Sequence, residues 1–280
     1  MIRIVSDTST LYSSQQAKDA GFEVSPLSVT IAGSSYREFD EISSQDFVEI
    51  IRKGNMPVSS QPSIGDVTEL YERYQDDDIL NIAMAEGLSG TYNSAAAAAE
   101  ICKGDREIVV INSRTLCGPH RYLVEKAVDM ANTGKTLDEI VKHTEALMDS
   151  AKSYLIPADF DYLRRGGRLS PLVSYVGQAT KLSPILTQTN DGRQLTIASV
   201  RRGFAHAIQY VGKALQKIGV GEGWRIYITH AAAPHLAEQA HELLKKVIPD
   251  AVFEIYQLSP AFITQGGPDC VAVQIIKSEP

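Results

Sequence analysis

The stretch ILNIAMAEGLSGTYNSAAAAAEI, residues 79–101, decides the fold. Its first five residues form a short apolar run and read as a strand buried on both faces. Residues 91–101 are rich in Ala, the best helix former, and read as a closely packed helix. Between them lies Gly87-Leu88-Ser89-Gly90-Thr91. Strand, glycine-bearing loop and helix are most of a βαβ unit, and repetition of that unit implies a largely parallel sheet.

The same alternation extends in both directions. Residues 2–5 read as a buried strand closed by the turn chemistry of Asp7-Thr8-Ser9, and helical patterns follow at 14–20, 44–53 and 64–74. A third strand is expected at 108–111, and Gly118-Pro119 then opens a helix toward 131 with Pro at the first helical position. After a helix at 137–149, residues 153–156 read as a strand ending at Pro157. The polar, glycine-bearing stretch DFDYLRRGGRLS (159–170) reads as a domain junction, which puts one α/β domain at 1–157 and a second at 158–280. In the second, 184–187 and 194–200 flank Asn190-Asp191-Gly192, a hairpin signal. Helices are expected there at 205–218 and 234–247, and strands at 225–229, 252–256 and 271–276. The fold class expected is α/β: two α/β domains with mainly parallel sheets flanked by helices.

With 280 residues, 44% hydrophobic and 22% charged, the chain has the make-up of a globular protein able to bury a core. A net charge of −7 argues against nucleic acid as a partner and leaves at most transient contact with anionic membranes. Cys102, Cys117 and Cys270 have no paired spacing, which fits a reducing cytoplasm and excludes a disulfide framework. MIRIVSDTS reads as strand and turn, not as a signal peptide, and no apolar run approaches the roughly 20 residues that span a bilayer. A cytoplasmic location is expected.

Several motifs carry chemistry. Gly87–Thr91 sits at the carboxyl end of a strand, where open parallel sheets bind ligands, and at a helix N-terminus, where free N–H groups and the dipole favour an anion. Ser89 or Thr91 can grip such an anion, or one of them can simply cap the helix; both readings stand. Hydrolase chemistry is not supported, because G-x-S-x-G requires Gly where Thr91 stands. Pro57-Val58-Ser59-Ser60-Gln61-Pro62-Ser63 reads as a stiff hydroxyl-rich loop in which Ser63 caps the next helix, with Asp66 at the capping-box position. Ser59 and Ser60 have no obvious capping duty; they are solvated loop residues or ligand hydroxyls. Arg164-Arg165-Gly166-Gly167-Arg168 is the densest positive cluster, suited to carboxylate or phosphate but equally to a solvated turn, and Arg201-Arg202 carries the same choice. Gly134-Lys135-Thr136 imitates the end of a nucleotide-binding loop, yet Asp129 stands where that loop needs its first Gly. His230, His235 and His241 match no metal-ligand spacing, so no metal is expected.

Taken in order, these segments resemble the DegV family, which includes the fatty-acid-binding subunits of bacterial fatty acid kinase. The resemblance rests on IVSDTSTL (4–11), VSSQPSIGDVTELY (58–71), GLSGTYNSA (87–95), VINSRT (110–115), PADFDYLRRGGRLS (157–170), LSPIL (182–186) and DGR (191–193). It implies a long-chain fatty acid as ligand, held in an apolar tunnel between or beneath two α/β domains, with no other cofactor. It also implies hydroxyls that bind the carboxylate, and a separate ATP-dependent kinase to which this carrier, without catalysis of its own, presents the acid. Carried over by residue, Ser89 matches the signature Ser, Ser59 the hydroxyl position usually filled by Thr, and Arg168 the Arg of Gly-Gly-Arg. Arg202 matches an Arg implicated in engaging the kinase. Near the end, Thr264-Gln265-Gly266-Gly267-Pro268-Asp269 stands where the family has Thr-His-x-Gly-Pro-Gly. Gln265 thus replaces a His of the carboxylate site; it can donate an amide N–H but cannot become a cation, and hydrogen bonds to charged groups contribute about 1.5–3 kcal/mol. Asp269 replaces a Gly and would repel an anion if it faced the site. Burial of about fourteen methylenes contributes on the order of 11 kcal/mol before ordering costs, so the tunnel would supply most of the affinity and the polar residues the orientation. Two other readings fit the residues alone: an enzyme acting on a small phosphorylated or carboxylated metabolite, and a lipid-sensing regulator without a kinase.

Overall fold

The computed structural model describes residues 1–170, 182–189 and 191–279. It contains two compact units, Met1–Asp149 with Ser259–Ala261, and Ser150–Leu258 with Phe262–Pro280.

In chain order the first unit runs β1 (Ile2–Asp7), a 3-10 turn (Thr8–Thr10), α1 (Ser14–Asp19), β2 (Glu23–Ser25), β3 (Ser28–Ile31), β4 (Ser34–Arg37), α2 (Ser44–Arg52), β5 (Val58–Ser60) and α3 (Ile64–Glu72). It continues with β6 (Asp78–Ala83), α4 (Thr91–Ile101), β7 (Ile108–Asn112), α5 (Cys117–Asn132) and α6 (Leu137–Met148). Four strands form a parallel sheet in the order β2-β1-β6-β7. Ile79, Leu80, Ile82 and Ala83 are fully buried, as a strand covered on both faces requires. Val5, Val67, Leu70, Tyr71, Ile79, Ala95 and Ala98 make one core, in which the small Ala side chains let α4 lie close to the sheet. Asn81 is the polar intruder in β6; its amide donates to the Tyr71 hydroxyl at 2.7 Å, so burial leaves it paired.

Four helices of this unit start on side-chain caps: Ser13, Ser43, Ser63 and Thr136 each accept a backbone N–H of the first turn. Thr136 and Glu139 form a full capping box, and Gly134 at φ 80° ends the helix before it. The imitation of a nucleotide loop at Gly134-Lys135-Thr136 is therefore a helix-to-helix turn. Two expectations need correcting. Pro119 occupies the third position of α5, since the helix begins at Cys117. Ser59 lies in a strand: β5 pairs with β3, and β3 with β4, in a small antiparallel sheet. Strands of three and four residues are too short to show a period.

The second unit runs β8 (Lys152–Ile156), α7 (Phe160–Gly166), β9 (Leu182–Gln188), β10 (Leu195–Arg202), α8 (Phe204–Lys217), β11 (Trp224–His230), α9 (Pro234–Lys245), β12 (Val252–Gln257), α10 (Pro260–Gly266) and β13 (Val271–Lys277). Its sheet has the order β10-β9-β8-β13-β11-β12. Here the expectation of a mainly parallel sheet is corrected, because β11 and β12 alone are parallel and the other neighbouring pairs are antiparallel. Helix–strand alternation does not encode strand direction, and the last strand enters between β8 and β11. Six of the seven residues of β13 are buried. α8 and α9 pack on one face through Ala207, Ile208, Val211, Leu215, Ala237, Ala240 and Leu244.

The unit boundary falls after Asp149, ahead of the 157/158 division expected, because β8 is hydrogen-bonded into the second sheet. Residues taken for a polar junction form α7, whose Phe160 and Leu163 pack with Leu155, Leu169 and Leu186. In the hairpin, Gly192 at φ 70° donates to the Thr189 carbonyl at 2.8 Å; Asn190 lies outside the described residues. Among the described residues, no helix is long and apolar enough to cross a membrane.

Candidate functional site

In the first sheet, β2 lies on one side of β1 and β6 on the other. The chain thus changes direction across the sheet between β1 and β6, and open parallel sheets bind ligands outside the carboxyl ends of strands at such a point. The segments at that edge are Asp7–Thr10, Met84–Thr91 and Asn112–Thr115.

The loop after β6 is pinned along its length. The Asp7 carboxylate accepts the Met84 N–H and the Ser9 N–H, both at 2.9 Å. Ala85 donates to the Thr115 carbonyl at 2.9 Å, and Glu86 N–H to Asn112 Oδ1 at 3.2 Å. Leu88 and Ser89 both donate to the Ala85 carbonyl. Ser89 is half-buried; its hydroxyl meets that of Thr91 at 2.8 Å and accepts the Thr91 N–H at 3.3 Å. Gly90 is the residue at the cap, and no side chain caps α4 there. Ser89 therefore stands one residue outside the capping position, with its hydroxyl beside the first amide of the helix. α5, which follows the neighbouring strand, also lacks a side-chain cap. Both helix starts at this edge differ in that respect from the four capped ones.

Ser59 is half-buried in β5, opposite Val29. Gln61, two residues on, lies against Gly90 and donates to Ser94 Oγ at 3.2 Å, so the segments of Ser59 and Ser89 meet within the first unit.

Beneath them is a network that no sequence signal marked. His120 on α5 is fully buried, with Nδ1 2.6 Å from Ser9 Oγ and Nε2 2.9 Å from the Ile82 carbonyl and 3.2 Å from Ser6 Oγ. A carbonyl only accepts, so Nε2 carries the proton and Nδ1 accepts from Ser9. Burial pulls the imidazole pKa down, opposed by the nearby Asp7, and the ring is neutral. Ser9 is itself buried, which makes this pair an internal support. Glu38 is also fully buried; Thr8 donates to one oxygen at 2.5 Å and the Ala261 N–H to the other at 2.8 Å. Burial outweighs these bonds and pushes its pKa up to about 7.

The second unit holds the remaining candidates. Arg164 and Arg165 are exposed on α7, the first 3.4 Å from Asp161 and the second over the Tyr162 ring. Arg168 is half-buried, donates to the Gly166 carbonyl, and burial lowers its pKa. Thr264 is buried and Gln265 half-buried on α10. A Cβ on Gly166 would stand 2.1 Å from Gln265 Oε1, so Gln265 lies directly on the Gly166 backbone, next to Arg168. Asp269 has φ 63°, which explains a Gly preference at this position by backbone conformation. Arg201 folds over Tyr210 at 4.5 Å, whereas Arg202 is exposed at the end of β10, an edge strand. His230 accepts the Ala233 N–H through Nδ1, and His241 packs edge-on against Phe253. Among the described residues, no group of three or more His, Cys, Asp or Glu side chains could hold a metal ion.

A family model described as uncharacterised protein, DegV family, matches residues 1–278. A DegV domain-containing protein from Staphylococcus aureus is 30% identical over 281 residues, 98% of each chain. Among solved structures, a DegV fatty acid binding protein from Bacillus subtilis is 25% identical with a TM-score of 0.88, and a DegV lipid binding protein from Thermotoga maritima is 25% identical with a TM-score of 0.86. Each comparison covers 99% of both chains.

Proposed function

We propose that this chain, which belongs to the DegV family, binds a long-chain fatty acid in an apolar tunnel and presents its carboxylate to a separate ATP-dependent kinase. The observation that carries the reading is the end-to-end likeness to the Bacillus subtilis fatty acid binding protein, at 25% identity over 99% of both chains. Supporting it, the signature Ser89 lies at the strand edge where an open parallel sheet takes its ligand, beside the start of α4, where the capping position is a glycine.

In this reading Ser59 and Ser89 donate hydroxyl hydrogen bonds to the carboxylate, and Arg168, Thr264 and Gln265 complete its binding. The acyl chain supplies most of the affinity, at about 0.8 kcal/mol per buried methylene. The bound carboxylate oxygen attacks the terminal phosphorus of ATP held by the partner; the bond to ADP breaks, and an acyl phosphate forms. This chain is a carrier in that reaction, and exposed Arg202 is its contact with the kinase.

Lipid extraction and mass spectrometry of the purified protein test the first part, with one fatty acid per chain expected. Protein that carries none and takes up none on incubation overturns the reading. For the second part, pull-down from a bacterial lysate is expected to recover an ATP-binding kinase with wild-type protein and to lose it with R202A. Recovery of no kinase leaves lipid carriage without phosphorylation.

A further inference from the structure

Gly90 has φ −74° and ψ 7°, a backbone conformation open to any residue. Its lack of a side chain is explained by a neighbour. A Cβ there would stand 2.2 Å from Gln61 Oε1 and 2.6 Å from both Gln61 Cδ and Nε2. The Gln61 amide therefore lies directly on the Gly90 Cα, the residue after Ser89. From that position Nε2 donates to Ser94 Oγ at 3.2 Å, in the first turn of α4, and Ser94 N–H donates back to the Gly90 carbonyl at 2.9 Å. Ser94 is buried, so the acceptor is fixed.

The backbone of Gln61 is fixed too. Ser59 and Ser60 before it are paired in β5 with Val29 and Ser28. Pro62 follows, with its restricted φ, and Ser63 caps α3. One side chain thus spans from a strand held by its ladder to a helix start held by the parallel sheet. An exposed Gln in a loop has many rotamers, and a glycine that makes room for one of them selects that geometry.

We propose that Gln61 is a positioning residue that sets the separation of the Ser59 and Ser89 hydroxyls, and through it the recognition of the carboxylate. The inference rests on the fatty-acid reading above. It predicts a defect confined to the head group. A Cβ at position 90 meets the far end of a flexible side chain, so G90A displaces the amide without unfolding the loop, and Q61A removes it outright. The two substitutions break the same link by different means.

The test is titration of wild-type, Q61A, G90A and the double variant with oleate and with oleyl alcohol, alongside thermal unfolding. Loss of one positioning hydrogen bond should weaken oleate binding about fivefold in either single variant. Oleyl alcohol affinity and the unfolding midpoint should stay near wild-type values, and the double variant should bind oleate no more weakly than the worse single one. Equal losses for both ligands, losses that multiply in the double variant, or unchanged oleate affinity each overturn the positioning role. Wild-type protein that binds no oleate overturns the fatty-acid reading and this inference with it.

Discussion

The residues proposed to hold the carboxylate come in two groups, held in place by different physics. Ser89 stands on a loop tied down by the N–H groups it donates, Met84 to the Asp7 carboxylate, Ala85 to the Thr115 carbonyl and Glu86 to Asn112 Oδ1. Gln265 stands on a short helix packed by close contact. Its amide lies on Gly166, while Gly266 faces Cys270 and Gly267 faces the Tyr162 ring. The first group is vulnerable to lost partners and the second to added atoms.

The largest expected effect comes from breaking the first group. D7A leaves the Met84 and Ser9 N–H groups buried without their acceptor, which should cost about 4 kcal/mol in urea unfolding with little change in slope. A loss below about 1 kcal/mol would show that these amides find other partners. The matching break in the second group is G267A. Its new Cβ would lie 2.7 Å from the Tyr162 ring at φ 76°, and overpacking plus left-handed strain should cost about 3 kcal/mol.

Glu38 sharpens the contrast, since it is a buried acid whose bonds do not offset its burial. Its pKa rises from 4.5 to about 7, so the folded state binds the proton more tightly than the unfolded state. The stability it contributes is complete below pH 4.5 and is lost as pH rises through about 7. Between pH 5 and pH 8 the wild-type protein should lose about 2 kcal/mol relative to E38Q. Parallel pH profiles would place the titration elsewhere.

Smaller effects test the departures from the family pattern. Q265H should strengthen oleate binding about tenfold below pH 6 and less above it, because only the protonated ring adds a charge-assisted bond. No gain at any pH would remove position 265 from the carboxylate. D269G relieves a left-handed residue and should raise stability by somewhat under about 1 kcal/mol, with oleate affinity unchanged. A rise in affinity instead would mean that the Asp269 charge acts on the ligand.

The first group was the more legible in sequence, and for the same physical reason. Strand 79–83 shows as an apolar run, the cap at Ser63 as a hydroxyl ahead of an acid, and Ser89 as a hydroxyl in a glycine loop between strand and helix. These are local patterns. The contacts that fix them are not: Gly90 reads as turn chemistry until Gln61 is found against it, and His120 is one more polar residue on a helix until Ser9 and Ile82 surround it. β3, β4 and β5 are too short to show alternation, so Ser59 read as a loop residue. In the second unit the elements other than α7 and α10 were visible, but the direction and order of the strands were not, because pairing is decided by residues more than a hundred positions apart, as Val273 and Tyr154 are.

The placement of β13 has a consequence for synthesis. Residues 1–149 hold every strand of the parallel sheet and can begin folding while the chain is still growing. The second sheet cannot do the same, because β8 and β11 are joined only by the strand inserted between them. Until residues 271–277 have emerged from the ribosome, two strands with unpaired edges wait in the cell, made at the start and in the middle of that unit. A stop codon shortly before Val271 would therefore release a first unit attached to an open, adhesive sheet, a form in need of a chaperone.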